Sequence, residues 1–273
     1  DGYHEIDSVV QVIDIADQLE LTVGEPGVIE VAVEQGDAPS GPDNLVYRAC
    51  EEFFDAAGVD GGVSVRLWKS IPTQAGLGGG SGNAAAAVVG LNKLFDCRLH
   101  TDELAKTASR VGSDAALFVY GGTVHMMGRG ELVRGLVDAP TLYIVVVKPD
   151  VGVSTKWAYE QLDRSRDRAR EKCTPSVLEA VLAANRSGLV GSVGNDFDAV
   201  ISKSSLAIRE AKTKMLNLGA EAALLCGSGS AVFGVFADAI AADKAGEKLS
   251  EGYNKVFTCR TLNRDESHPG AMF

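Results

Sequence analysis

The stretch that decides the fold runs from Ile71 to Ala87 and reads IPTQAGLGGGSGNAAAA. Residues 63–68 before it alternate between apolar and polar side chains, which predicts a β-strand, and the alanine-rich run 84–94 predicts a helix. A glycine cluster that leads from a strand into a helix N-terminus suits an anion, because backbone N–H groups can approach the ligand and the helix dipole presents partial positive charge. The stretch therefore predicts a phosphate-binding loop.

Two common glycine motifs fit this stretch poorly. No Gly-Lys-Ser/Thr closes the loop, which excludes a Walker P-loop. Gly76 and Gly78 have the spacing of a Rossmann fingerprint, but Ser81 stands where its third glycine belongs. Asp96, at a plausible ribose distance, keeps a nicotinamide dehydrogenase as a distant alternative. A glycine-rich turn without any ligand is the remaining structural interpretation.

Length and composition restrict the class of protein. The 273 residues include 37 acidic and 26 basic side chains, and the net charge of −11 argues against general binding to nucleic acid or to an anionic membrane surface. Five scattered cysteines without a CxxC motif argue against a disulfide scaffold or a zinc site and predict a reducing compartment. No apolar run approaches the ~18 residues of a membrane span, and no secretory signal opens the chain, so we predict a soluble protein.

The pattern of strands and helices predicts two domains, with residues 1–150 in the first and 151–273 in the second. The boundary follows the continuous apolar strand 141–148, after which helices predominate. The predicted elements that matter below are paired strands at 9–13 and 19–23, strands at 115–119, 222–225 and 231–236, and one long helix at 196–218. The last two strands are joined by Gly227-Ser228-Gly229-Ser230, a composition typical of a hairpin turn.

Several motifs taken together resemble the GHMP kinase superfamily. In the family's order they are Asp1-Gly2-Tyr3-His4-Glu5, Ile71-Pro72, Gly76 to Ser81, Gly112-Ser113-Asp114, Val147 to Asp150 with Ser154-Thr155, Asn195-Asp196-Phe197, and Gly227 to Ser230. The resemblance implies an α/β (α+β) fold with a ribosomal-protein-S5-like, ATP-binding domain at 1–150. A ferredoxin-like C-terminal domain follows at 151–273, and the active site is implied between the two domains.

The resemblance also implies the chemistry. ATP, with Mg²⁺, would donate its γ-phosphate to the 2-hydroxyl of a small cytidine diphosphate substrate of isoprenoid biosynthesis, since the opening Asp-Gly-Tyr-His resembles members with that substrate. Asp114 would contact the attacking hydroxyl as the catalytic residue. The implied nucleotide-binding residues are Lys69, Gly76, Leu77, Gly78, Gly79, Gly80, Ser81, Gly82 and Asn83, with Ser81 also the candidate metal contact. The implied substrate-binding residues are Tyr3, His4, Gly227, Ser228 and Gly229.

Several of the candidate residues, and Cys226 beside them, also have a purely structural interpretation. Asp114 would serve as a helix-terminus or turn residue, and Lys69 would be a strand-end lysine that points into solvent. Tyr3 and His4 would lie at the edge of a core, although an aromatic beside polar groups is well suited to stacking on a pyrimidine base. Cys226, beside the Gly227 turn, is interpreted as a small apolar residue because no histidine lies near it in sequence.

Two departures from the family pattern leave alternatives open. The family usually carries Ser-Ser-Asp where this chain has Ser81-Gly82-Asn83, which removes a hydroxyl and a charge near the phosphates. The family also has a first strand with an Ala-Lys-Ile-Asn-like segment, and we expect that strand and its lysine to be missing before Asp1. The alternatives are another GHMP small-molecule kinase and a nucleotide-binding protein with little catalysis.

The expected partners and location follow from the same comparison with family members. We expect a small-molecule substrate, no nucleic acid, no membrane, and a monomer or weak homodimer. Ser81-Gly82-Asn83 and the segment Thr258-Cys259-Arg260 resemble plant members, which predicts the plastid stroma, with a bacterial cytoplasm as the alternative.

Overall fold

The chain has a mixed α/β fold, which a computed structural model describes for residues 4–165 and 173–268. The strands are β1 (Ile6–Gln11), β2 (Gln18–Val23), β3 (Ile29–Gln35), β4 (Val63–Trp68), β5 (Thr123–Gly128), β6 (Leu132–Gly135), β7 (Tyr143–Val147), β8 (Ala222–Leu225), β9 (Val232–Phe236) and β10 (Val256–Arg260). The helices are α1 (Leu45–Ala57), α2 (Gly79–Leu94), α3 (Thr101–Ser109), α4 (Ala115–Tyr120), α5 (Thr155–Arg164), α6 (Thr174–Leu182), α7 (Arg186–Ser192), α8 (Asp196–Ser204), α9 (Leu206–Asn217), α10 (Ala239–Ser250) and α11 (Arg264–Ser267).

The described residues divide into two compact units. The first holds residues 4–73, 78–138 and 262–268, and the second holds Gln74–Leu77 and 139–261. The glycine loop therefore belongs in part to each unit, because four of its residues cluster with the C-terminal half of the chain. The division of the family's domains at residue 150 stays a prediction.

The first unit contains two three-stranded sheets, ordered β2–β4–β3 and β1–β5–β6. Strand β4 is central in its sheet, antiparallel to β2 and parallel to β3, and it occupies the residues that the alternating pattern predicted. Val63 and Val65 face a core that helices α1, α2 and α3 complete, whereas Arg66 points outward. This core fixes the end of β4 and the start of α2, the two elements that flank the glycine loop.

The second unit is built on one antiparallel sheet, ordered β10–β7–β9–β8. Strand β7 is the apolar strand predicted for the centre of a sheet, and it pairs on both sides, with β10 and with β9. Strands β8 and β9 form the predicted hairpin, with Leu225 opposite Val232 at its closed end. The hairpin carries Gly227 and Gly229 at its tip.

Three sequence-based predictions are wrong. Residues 115–119 form helix α4 instead of a strand, because a short apolar run has no periodicity that separates the two. Strands β1 and β2 do not pair with each other, since β1 pairs with β5 and β2 with β4; the hydrophobic pattern predicts strands but not their partners. The long helix at 196–218 breaks at Ser205, which is extended and caps α9 through its hydroxyl.

Candidate active site

The glycine loop ends inside the first turn of α2. The helix begins at Gly79, so Gly79 and Gly80 are helical, and Gly78 is the residue before the first turn, with φ 67° and ψ 13°. Gly76 also has positive φ, at 75°. Glycine adopts this left-handed conformation without the steric cost that other residues pay. The glycines thus set the entry into α2, whose first N–H groups have no acceptor within the helix and can meet an anion.

The space that these glycines leave is filled by protein. A Cβ on Gly76 would collide with the carbonyl oxygen of Cys226, and one on Gly78 would lie 2.8 Å from the ring of Phe118. At Gly79 it would lie 2.8 Å from the Cγ2 methyl of Ile71. The sequence predicts that the glycines make room for a ligand; in the structure, they also make room for the chain's own backbone and side chains.

The loop meets the Gly227 turn through backbone contacts. The amide N–H of Ala231 donates to the carbonyl oxygen of Ala75, at 3.0 Å. The Cβ that Gly227 lacks would stand 3.2 Å from the carbonyl oxygen of Gly76. Residues 75 and 76 therefore pack against the turn within the second unit. Three of the five predicted substrate-binding residues lie in that turn, namely Gly227, Ser228 and Gly229.

Asn195 supports the Gly227 turn from the start of α8. Its side-chain oxygen accepts from the amide of Phe197 at 3.0 Å, which caps the helix. Its side-chain nitrogen donates to the carbonyl oxygens of Leu225 at 2.9 Å and Gly227 at 2.8 Å. The hydroxyl of Ser228 lies 3.1 Å from that of Thr155, so the turn is held from two sides within the second unit.

Ser81 and the Gly112-Ser113-Asp114 segment are neighbours in the first unit. The Cβ position of Gly112 lies 3.7 Å from Ser81 Oγ. Asp114 directly precedes α4 and is exposed, and its carboxylate accepts from the Ser113 hydroxyl at 3.2 Å. An exposed carboxylate at this place is open to a substrate hydroxyl, and its catalytic role stays a prediction.

Lys69 is buried, which contradicts the solvent-facing interpretation. The residue is 7% exposed, and its ammonium forms an ion pair with the carboxylate of Asp17. Asp17 also accepts the amide N–H groups of Ser70 at 2.7 Å and Ile71 at 2.8 Å. Sequence reasoning missed Asp17, whose only sequence feature is that it precedes an apolar strand, because its partner Lys69 lies 52 positions later, just after β4.

The remaining predicted site residues are placed less informatively. Tyr3 lies outside the described residues, and His4 is half-buried two residues before β1. Asn83 is buried in α2, and Leu77 is half-buried. Cys226 is buried, and that burial raises the pKa of its thiol, which agrees with a small apolar role.

The dinucleotide interpretation fails on geometry. Asp96 lies just beyond the C-terminal end of α2 and makes an exposed ion pair with Arg98 at 3.0 Å. The sixteen residues of α2 separate it from Gly78 at the start of the helix, a distance of about 24 Å at 1.5 Å per residue. Asp96 is therefore too far away to hold the ribose of a nucleotide whose phosphates lie at the loop.

The described residues form neither a cluster of metal-binding side chains nor a helix that could span a membrane. Among residues 4–165 and 173–268, no group of three or more His, Cys, Asp or Glu side chains could hold a metal ion. Within the same ranges, each helix is too short or too polar to cross a membrane.

Comparisons with known proteins give consistent matches. Residues 44–122 match the family described as GHMP kinases N terminal domain, and residues 177–255 match the family described as GHMP kinases C terminal. A protein of Moorella thermoacetica named 4-diphosphocytidyl-2-C-methyl-D-erythritol kinase is 39% identical over 264 residues, which cover 96% of this chain and 92% of the relative.

Two solved structures match nearly the whole chain. A crystal structure of 4-(cytidine 5'-diphospho)-2C-methyl-D-erythritol kinase has a TM-score of 0.78 and 29% identity, and the match covers 95% of this chain and 91% of that one. Homoserine kinase from Cytophaga hutchinsonii also reaches 0.78, at 20% identity, over 95% of this chain and 90% of its own. At that identity the second likeness concerns the fold alone.

Proposed function

Because the chain belongs to the GHMP kinase family, we propose that it transfers the γ-phosphate of ATP to the 2-hydroxyl of 4-diphosphocytidyl-2-C-methyl-D-erythritol, a step of isoprenoid biosynthesis by the non-mevalonate route. The family and the α/β fold that the motifs implied are confirmed. The acceptor rests on the Moorella relative, whose similarity extends over nearly the whole chain.

One structural observation carries the proposal for this chain. The backbone of Ala75 and Gly76 lies against the Gly227 turn, so residues 74–77 of the loop proposed to hold ATP belong to the same unit as the turn proposed to hold the acceptor. Phosphoryl transfer requires little covalent chemistry from the protein and depends on the positioning of donor and acceptor. The backbone contact between residues 75–76 and the turn supports such a role for the second unit.

The proposed mechanism assigns one task to each group. The first N–H groups of α2 bind the phosphates of ATP, where the helix dipole favours negative charge. Asp114 orients the attacking hydroxyl and accepts its proton, a role open to an exposed carboxylate two residues after Gly112, which lies beside Ser81. Tyr3 and His4 are assigned to the cytosine base, and Lys69 to the surroundings of the nucleotide.

Mg²⁺ fits the residues at this place. Ser81 and Asp114 offer oxygen ligands, which Mg²⁺ prefers, and one or two protein oxygens are enough when ATP phosphates supply others. The bound ion would neutralise charge that develops on the transferred phosphoryl group. Ser81 is proposed as the protein ligand.

The experiment for this proposal is an acceptor panel with ATP and release of ADP as the readout. 4-Diphosphocytidyl-2-C-methyl-D-erythritol, homoserine, mevalonate and phosphomevalonate are compared at equal concentration by kcat/KM. We expect the cytidine diphosphate acceptor to exceed each other acceptor by at least ~10³-fold, since a site built to pair polar groups rejects substrates that leave those groups unpaired. A higher kcat/KM with another acceptor would favour a different GHMP kinase, and ATP binding without turnover on any acceptor would favour the non-catalytic alternative.

The proposed location is a bacterial cytoplasm. The Moorella relative is bacterial and lends no support to the plastid stroma. For the oligomeric state we propose a monomer or weak homodimer, which light scattering at two protein concentrations would test.

A further inference from the structure

A buried ion pair lies at the entrance of the glycine loop. The side chains of Lys69 and Asp17 are 5% and 0% exposed, and the ammonium and carboxylate are in direct contact. Removing two charges from water costs several kcal/mol per ion, so a buried pair of this kind is weak evidence for stability. A role other than stability is therefore the better explanation for a buried ion pair at this place.

Asp17 joins side-chain and backbone contacts at one carboxylate. Oδ2 pairs with the Lys69 ammonium, while Oδ1 accepts the amides of Ser70 at 2.7 Å and Ile71 at 2.8 Å. Hydrogen bonds to an ionised acceptor are roughly twice as strong as neutral ones. The carboxylate thereby fixes the first two residues after β4, where the chain turns into the glycine loop.

The backbone of Lys69 is fixed by contacts with the end of β3. Its amide donates to the carbonyl oxygen of Gln35 at 2.9 Å, and its own carbonyl oxygen lies 2.8 Å from the position of the Cβ that Gly36 lacks. The ammonium lies 3.1 Å from the corresponding position at Gly79, the first residue of α2. The side chain therefore runs from the end of the sheet to the first turn of the helix.

The electrostatics of this arrangement are unfavourable without an anion. A cation near a helix N-terminus is repelled by the partial positive charge there. Asp17 supplies a compensating negative charge from within the chain, and a phosphate bound at the first turn of α2 would supply a second one. The ammonium and the helix would then attract the phosphate together.

We propose that Asp17 is a positioning residue for nucleotide binding, which acts through the Lys69 ammonium and through the backbone of Ser70 and Ile71. The inference rests on the proposed function, because it takes ATP as the ligand of α2. Asp17 needs no contact with the nucleotide. Its carboxylate holds the lysine charge beneath the first helical turn and fixes the direction in which the loop leaves β4.

A matched control lies on β4, the strand that ends directly before Lys69. Arg66 pairs with Glu34 at 2.9 Å, and these side chains are 48% and 36% exposed. The Arg66–Glu34 pair has the same charges as the Lys69–Asp17 pair but faces solvent, where ion pairs contribute little. Glu34→Gln therefore reports the effect of losing one carboxylate on this sheet away from the loop.

The test measures ATP binding by calorimetry and, in parallel, the KM of the acceptor and thermal unfolding. We expect Asp17→Asn to raise the Kd of ATP by at least ~10-fold, because the Lys69 ammonium and the amides of Ser70 and Ile71 lose the charged acceptor that positions them, and to change the acceptor KM by less than ~2-fold. Glu34→Gln should leave both constants unchanged. ATP binding does not depend on the choice of acceptor, so a wrong acceptor would overturn the proposed function and leave this test intact.

A second variant covers the case in which Asp17→Asn does not fold. Replacement of both partners of a buried pair by apolar residues is often neutral for stability, so the double variant D17L/K69M is expected to fold and still to bind ATP weakly. A folded double variant with the ATP affinity of the wild type would overturn the proposal. So would an Asp17→Asn protein in which the ATP and acceptor constants rise by the same factor.

Discussion

The two glycine segments of this protein look alike in sequence and differ in what requires the glycines. At Gly76 the backbone of Cys226 occupies the place of a side chain, and at Gly78 the ring of Phe118 does so. At Gly227 and Gly229 the nearest atoms lie at 3.2 and 3.0 Å, and those near Gly229 belong to the flexible side chain of Leu225. The first segment is thus constrained chiefly by packing and the second by its left-handed backbone, with φ 50° and 94°.

A glycine motif can therefore locate a site in the sequence without showing which contact or backbone conformation requires glycine there. Both segments belong to one proposed active site and touch through backbone atoms. A substitution at Gly76 must displace backbone, whereas a substitution at Gly229 displaces the side chain of Leu225. The predictions below test that distinction and the assignment of the chemistry to residues outside both segments.

The largest effect is expected at Asp114, where both glycine segments stay intact. Asp114→Asn keeps the volume and removes the charge, so turnover should fall by ~10²–10⁴-fold, the range for loss of a general acid–base group, while ATP affinity stays within a few-fold. Steady-state kinetics and ATP calorimetry measure the two quantities. Asp96→Asn, an exposed carboxylate far from the loop, is the control. Unchanged turnover in the Asp114 variant would remove this residue from the mechanism.

Gly76→Ala should be the most damaging substitution within the two glycine segments. The new Cβ would meet the Cys226 carbonyl and would also require a left-handed alanine, so we expect a loss of about 2–4 kcal/mol in the free energy of unfolding. Urea unfolding measures it. Gly152→Ala serves as control, because there the nearest atom of Gln74 is 3.6 Å away. If Gly229→Ala costs as much as Gly76→Ala, the distinction between packing and backbone conformation fails.

Asn195→Ala separates helix capping from support of the turn. Loss of the cap alone costs ~1 kcal/mol, and loss of the two bonds to Leu225 and Gly227 should add ~1–3 kcal/mol together with a higher acceptor KM. Asn185→Ala is the matched control, since Asn185 caps α7 through the Gly188 amide at 3.0 Å and lies away from the turn. Equal losses in the two variants, with no change in KM, would show that Asn195 is only a helix cap.

The smallest effect is expected at Gly82, and it is a gain. A Cβ there would stand 3.6 Å from the Phe118 ring, an ordinary contact, and alanine is favoured over glycine inside a helix by ~0.5–1 kcal/mol. Gly82→Ala should therefore raise the free energy of unfolding by about that amount, which urea unfolding measures. Gly79→Ala in the same helix should lower it, because Ile71 lies 2.8 Å from the new atom. A destabilised Gly82 variant would mean that this glycine is as constrained as its neighbours.

The sequence predicted secondary-structure elements better than it predicted the tertiary contacts around them. Strand β4 and the β8–β9 hairpin follow from local alternation and turn composition, which are properties of neighbouring residues. Helix α4 could not be separated from a strand, because its apolar run is too short to show a period. Neither Phe118 against Gly78 nor Asp17 beneath Lys69 could be predicted, since both contacts join residues that only the tertiary fold brings together.

The central claim is the transfer of phosphate from ATP to the 2-hydroxyl, and ³¹P NMR of the product without proton decoupling tests it most directly. The 2-carbon carries the methyl group and no hydrogen, so a phosphate on its oxygen has no three-bond coupling to a proton. The account predicts one new monoester resonance that is an unsplit singlet and that appears together with an equal amount of ADP. A doublet or triplet monoester would place the phosphate on another hydroxyl, and release of inorganic phosphate without a new ester would contradict the kinase assignment for this acceptor.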